Sequence, residues 1–221
     1  MKLKSLALAA ALVISGSAFA DTVKLTGYVF APNASVTTTD SAHPGANHTN
    51  VGAGEFKGLL NGNSFVTYCT DLFQTFAFNT TYNDYSVVNG VTAWGGPKST
   101  ILDHVISYAI DMGMPSNAKS SAVVQAAVWE VINESAPGWP GMSFSAGNFK
   151  VTSATGSVQT ALNGFDWAAA MSHARTHHVD QLFSRSHQDF MVVSEVPEPG
   201  TYAMLLAGLA GMGFVARRRS R

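Results

Sequence analysis

The stretch EFKGLLNGNSFVTYCTDLF, residues 55–73, decides how the chain is read. Asn61 and Gly62 stand between two runs of β-prone residues, and an Asn-Gly pair in that setting predicts a tight hairpin, because both turn positions need positive φ. Alternation along the second run puts Phe65, Thr67, Cys69, Asp71 and Phe73 on one face and Val66, Tyr68, Thr70 and Leu72 on the other. Cys69 is thus predicted to share its face with polar groups, and it is the one cysteine in 221 residues.

Outward from the hairpin, Val23 to Phe30 alternates well enough for a strand. Residues 31–54, rich in small residues and Thr, read as loop. From Ser99 the period changes: Ile101, Leu102, Val105, Tyr108, Ala109 and Met112 recur at helical spacing, and Gly113 with Pro115 stops the run. Ser116 or Ser120 is the expected cap of a second helix carrying Val124, Val128, Val131 and Ile132, with Gln125 and Trp129 one turn apart. FKVTS at 149–153 predicts a strand, Asp166 to Ala174 a short helix, and QDFMVV at 188–193 a closing strand. The expected class is mainly β with α, an α+β fold whose sandwich or barrel-like framework holds an inserted helical subdomain.

The ends are of another kind. Lys2 and Lys4, the apolar run Leu6 to Ile14, and AFA at 18–20 mark residues 1–20 as a signal peptide, leaving a domain at 21–195. That segment holds seven basic and thirteen acidic residues, a net charge of −6, so a polyanion such as nucleic acid is not an expected partner. At 201–216 an apolar run follows Pro197, Glu198 and Pro199 and precedes Arg217, Arg218 and Arg219. As a helix it would span roughly 24 Å, short for a bilayer core of about 30 Å but workable with snorkelling arginines, the cationic end staying cytoplasmic.

Residues 196–221, with these three parts in order, resemble the PEP-CTERM sorting signal of Gram-negative bacteria. The resemblance implies an exported protein held transiently in the inner membrane by its C-terminal helix. An exosortase-type membrane protease then cuts near Pro-Glu-Pro, and the protein passes to the cell surface or the extracellular matrix of a biofilm. A plain single-pass anchor would carry the same apolar span and arginines.

A lone cysteine in an exported chain is a buried small hydrophobe, a bridge to another chain, or a chemical group. Tyr68 and Cys69, followed by Val124, Gln125, Ala126, Ala127, Val128 and Trp129, resemble the signature of the thioester domain family of bacterial surface proteins. HQDFMVV at 187–193 is similar, more weakly, to that family's closing strand. The resemblance implies that the Cys69 sulfur and the Gln125 carboxamide condense with loss of ammonia. The resulting thioester acylates a lysine amine or hydroxyl of a protein or polysaccharide partner, in adhesion or cross-linking. Tyr68 and Trp129 are then candidates to shield the bond and Asp71 to orient or activate the thiol, each equally readable as an ordinary strand or core residue. Such a capture happens once per molecule, so no enzyme is expected, and neither cofactor nor metal.

Three other readings compete. A cysteine hydrolase would use Cys69 with a histidine base, but the papain and caspase patterns are missing and no helix N-terminus is predicted beside the thiol. A metal site would use His173 and His177, four apart, with His178 and Asp180 nearby. A passive exopolysaccharide-matrix or carbohydrate-binding protein would present Trp139 and Tyr82 as exposed stacking rings.

Overall fold

The computed structural model describes residues 20–135, 141–153, 155–196, 207–210 and 212. Its strands begin with β1 (Asp21–Tyr28), β2 (Ala34–Asp40), β3 (His48–Ala53), β4 (Phe56–Leu60), β5 (Asn63–Thr67) and β6 (Tyr82–Val88). Helices α1 (Gly90–Trp94), α2 (Gly96–Asp111) and α3 (Ala118–Asn133) follow, then β7 (Phe149–Thr152), α4 (Gly156–Asn163) and α5 (Trp167–Ser172). β8 (His177–Phe183) and β9 (Phe190–Glu195) end the domain.

The hairpin forms as its turn chemistry requires. Asn61 and Gly62 have φ of 52° and 81°, and Leu60 pairs with Asn63. From it grows an antiparallel six-stranded sheet in the order β5-β4-β1-β6-β8-β9. Beyond Thr67 the chain leaves β4 and meets the far edge. Met191 N–H donates to Tyr68 O (3.1 Å), Thr70 N–H to Asp189 O (2.9 Å), and Cys69 stands opposite Phe190 in an antiparallel bridge. The sheet is thereby nearly closed into a barrel, which leaves few free edges. Val23, Leu25, Tyr85 and Leu182 are buried, with Phe56, Phe76 and Phe190 packed edge to face at centroid distances of 5.4–5.9 Å.

A second sheet, β3-β2-β7, lies against α3. Residues 31–54, read above as loop, hold both β2 and β3. The strand pattern was masked because β2 turns polar Thr38 and Asp40 inward together with Val36. β6, β8, α1 and α4 were likewise not anticipated. The helix cap is Asn117, neither Ser116 nor Ser120. Its side chain accepts from Lys119 and Ser120 N–H, and the Ser120 hydroxyl accepts from Asn117 N–H to complete a capping box.

Helices α1 to α5 lie between β6 and β8, with α2 packed on β8 and α3 on β2, β3 and β7. The fold is thus a β-rich α+β arrangement with a barrel-like sheet. Twelve of the sixteen residues of α3 are buried, so polar side chains on it must find partners inside the protein. Glu134, the residue that caps its C-terminus, does: its carboxylate accepts from Asn148 N–H (3.1 Å) and Phe149 N–H (3.3 Å). That carboxylate fills the space a side chain at Gly147 would need, and Gly147 has φ of 91°, so only glycine suits the position.

Glu130 is less well served. Oε1 meets Ser143 N–H at 3.4 Å and Oε2 has no partner among the described residues. Burial pushes its pKa up to about 8; the Ser143 N–H pulls the other way and the Glu134 charge adds to the rise. Below its ordinary value of 4.5 the carboxyl is protonated in folded and unfolded chains alike, and nothing is lost. Above that value the unfolded chain ionises while the folded one must hold its proton. This group's contribution to stability therefore falls as pH rises from about 4.5 towards about 8. Glu130→Gln is expected to gain on the order of 3 kcal/mol over wild type between pH 5 and pH 8, measured by urea unfolding at both pH values. An equal difference at the two pH values would refute the assignment.

Candidate functional site

Cys69 sits where a strand has lost its neighbour. Thr67 pairs with Phe56, the first residue of β4, so two residues further on no strand covers that side of the backbone. The Gln125 side chain of α3 takes the vacant place. Cys69 N–H donates to Gln125 Oε1 (2.9 Å), and Gln125 Nε2 donates to Cys69 O (2.8 Å). A carboxamide carries the same donor and acceptor as a peptide, so it continues the ladder as one more strand residue would. Cys69 is 1% exposed and Gln125 fully buried. The two residues singled out in the sequence are therefore in direct contact, across 56 positions of chain.

The sulfur points elsewhere. The thiol donates to Asp71 O (2.7 Å) and receives Gln188 Nε2, which also donates to Asp71 O (3.0 Å). Burial pushes the thiol up to about 12. Contacts with the Asp71 backbone, the Trp129 indole and the Gln188 carboxamide pull it down, and the Asp71 charge raises it. Trp129 is buried one turn from Gln125, and its indole N–H, close enough to favour the thiolate, has no acceptor at hydrogen-bond geometry.

Asp71 departs from the sequence reading. β5 ends at Thr67, so Asp71 follows the strand rather than sharing a face of it with Cys69, and both Tyr68 and Cys69 are buried. Its Oδ1 accepts from Phe73 N–H (2.7 Å), whereas Oδ2 is buried without a partner among the described residues. Burial raises the Asp71 pKa, against hydrogen bonds from the Phe73, Gln74 and Asp189 backbone. Tyr68 lines a neighbouring cavity whose walls include neither Cys69 nor Gln125. Gln188 was missed as a site residue. Its only signal was its place in the closing stretch, since its contact with Cys69 spans 119 positions.

His173 and His177 do not share a helix. His173 ends α5 and bonds Asp111 Oδ2 (2.8 Å), while His177 begins β8 beside Thr176 Oγ1 (2.9 Å). Among the described residues no group of three or more His, Cys, Asp or Glu is placed to hold a metal ion. Tyr82 is half-buried against the His187 ring at 4.2 Å, its hydroxyl accepting from Ala77 N–H, and so is no open stacking platform. Trp139, Pro197, Glu198, Pro199, Arg217, Arg218 and Arg219 lie outside the described residues. Residues 207–210 and 212 are helical and exposed, and among the described residues no helix is long and apolar enough to cross a membrane.

Residues 195–219 match the family model for the PEP-CTERM protein-sorting motif. The chain carries the sorting signal of exported Gram-negative proteins, recognised at the membrane by exosortase. No curated protein and no solved structure matches the chain.

The geometry makes the Gln125 carboxamide the partner of a buried peptide. In a Cys69→Ala background, where only hydrogen bonds are at stake, Gln125→Ala is expected to cost about 2–5 kcal/mol by urea unfolding, from two buried backbone groups left unpaired. A loss below about 1 kcal/mol would mean that the carboxamide does not serve as the missing strand.

Proposed function

We propose that Cys69 and Gln125 form an internal thioester, and that the exported protein uses it to attach covalently, once, to an amine- or hydroxyl-bearing partner at the cell surface or in the extracellular matrix. The observation that carries this reading is the pair of hydrogen bonds between the buried Gln125 carboxamide and Cys69, its only hydrogen bonds among the described residues.

The chemistry runs as an acyl transfer. The thiol turns from Asp71 O towards the Gln125 Cδ and gives up its proton, for which the unpartnered Asp71 Oδ2 is the acceptor at hand. Sulfur adds to Cδ, and the negative charge that collects on Oε1 is stabilised by the Cys69 N–H already bonded there. The C–N bond breaks, and the leaving nitrogen takes up the proton that came from sulfur and departs as ammonia. The partner's amine later attacks the same carbonyl, the C–S bond breaks, and the sulfur regains a proton as a thiol. Burial favours the neutral thioester over a thiolate. The walls that exclude water, Trp129 among them, protect the bond until the partner arrives.

The mature protein is expected to weigh one ammonia less than its sequence, with the deficit absent in Cys69→Ala and in Gln125→Ala. Methylamine should restore a free thiol and leave Gln125 as its methylamide in peptide mapping. A full sequence mass in freshly purified wild type, with Cys69 titratable as a thiol after unfolding, would overturn the proposal. The same cross-link closes a loop of 56 residues, so unfolding of the wild type should lie roughly 4 kcal/mol above that of Cys69→Ala, less any strain.

A further inference from the structure

Beside the thiol site, and sharing none of its reacting groups, lies a cavity of about 260 Å³ between β5, α2 and α3. Its walls are mostly apolar. Phe65, Ile106, Val124 and Val193 supply the hydrocarbon; of the polar lining residues, the Thr67 hydroxyl is engaged with Met191 O (2.7 Å), which leaves Glu55 and Tyr68. Tyr68 is 5% exposed, yet its hydroxyl has no hydrogen-bond partner among the described residues. Ser121 Oγ stands near it outside hydrogen-bond geometry and accepts from Glu55 N–H (2.7 Å). The half-buried Glu55 carboxylate makes no hydrogen bond or ion pair among the described residues, and it lies close enough to the phenol for its charge to oppose ionisation of Tyr68. A buried hydroxyl without a partner costs free energy that a ligand can recover.

We propose that this cavity binds a primary alkylammonium, its head group held by the Glu55 carboxylate and the Tyr68 oxygen and its chain lying along Phe65, Ile106, Val124 and Val193. An ammonium supplies what the two groups lack: a positive charge for the carboxylate and N–H donors for both oxygens. The net charge of −6 on residues 21–195 draws cations to the surface in general, and the cavity selects those with a hydrocarbon tail. Burial pushes the Glu55 pKa up to about 7, so at neutral pH a bound cation would complete an ionisation that is otherwise held back. A lysine side chain and a free aliphatic amine share this chemistry. The site is non-covalent and does not rest on the thioester.

Isothermal titration of the purified protein tests it, with propylamine to hexylamine, hexanol, and Nα-acetyl-lysine methylamide as ligands. Saturable amine binding should strengthen about fourfold per added methylene, with hexanol weaker than hexylamine by roughly tenfold or more. Glu55→Gln should abolish the preference for amine over alcohol. Ile110→Trp, at an exposed position lining the cavity, should weaken every long-chain ligand while leaving the fold intact. Cys69→Ala should change none of this, which separates the outcome from that of the thioester. Comparable binding of the lysine derivative assigns a protein side chain as occupant; binding of hexylamine alone assigns a free amine. No saturable amine binding, or binding insensitive to both Glu55→Gln and Ile110→Trp, would overturn the proposal.

Discussion

A peptide group buried at the end of a strand has to be paired, and in this protein that requirement falls on Cys69. Its chain neighbours meet β9 through Tyr68 O and Thr70 N, so the N–H and C=O of Cys69 itself point the other way, where β4 has not yet begun. Leaving both unpaired in a dry interior would cost several kcal/mol, a large part of a typical domain's stability. Gln125 meets the requirement only if α3 lies close to the sheet. Ala122, Ala126 and Ala127, all buried around it, present little bulk to prevent that approach. The position of α3, and through it the second sheet, follows from this one pairing.

The same solution recurs elsewhere. β6 pairs with only the end of β8, from Gln181 to Phe183, so the start of β8 lacks a neighbour on that side. There Asp103 Oδ1 of α2 accepts from Val179 N–H (2.9 Å), and Ser107 Oγ accepts from His177 N–H (2.9 Å). Ser121 accepts from Glu55 N–H just before β4, and Glu134 from Phe149 N–H at the start of β7. Polar residues of α2, of α3 and at the C-cap of α3 are thus joints between helices and strands. Glu130 lacks such a joint, and its raised pKa is the electrostatic sign of that.

These joints also explain what could be read from the sequence. The Asn61-Gly62 turn was legible because its cause is local, in the φ of two residues. The two main helices were legible from spacing, and Gln125 stood out because a polar residue on an apolar helix needs a reason. β2 was not legible, since it buries Thr38 and Asp40, whose partners, Ala46 O for the hydroxyl and Ala42 and His43 N–H for the carboxylate, come from the turn after the strand. Asp71 was placed on a strand by alternation, which carries no information about where a partner strand stops. Gln188 was beyond reach for the same reason: only closure of the barrel brings it to the sulfur.

The environment of the thiol bears on the kind of chemistry it suits. A cysteine that acts repeatedly as a nucleophile needs a depressed pKa, from a helix N-terminus or a neighbouring cation, and an open approach. Cys69 has neither. It is buried, its pKa is raised, and the charged side chain noted beside it is the acidic Asp71. Such a setting disfavours turnover on exchanging substrates and leaves a free thiolate poorly solvated. A neutral acyl-sulfur bond carries no such penalty, because it brings no charge into the interior and its carbonyl oxygen keeps the hydrogen bond from Cys69 N–H. The pairing that completes the strand already holds the Gln125 carboxamide against Cys69, and under the proposed thioester the sulfur, now hydrogen-bonded to Asp71 O, has to turn towards it. Gln125 would give up only its bond to Cys69 O in exchange for the covalent link.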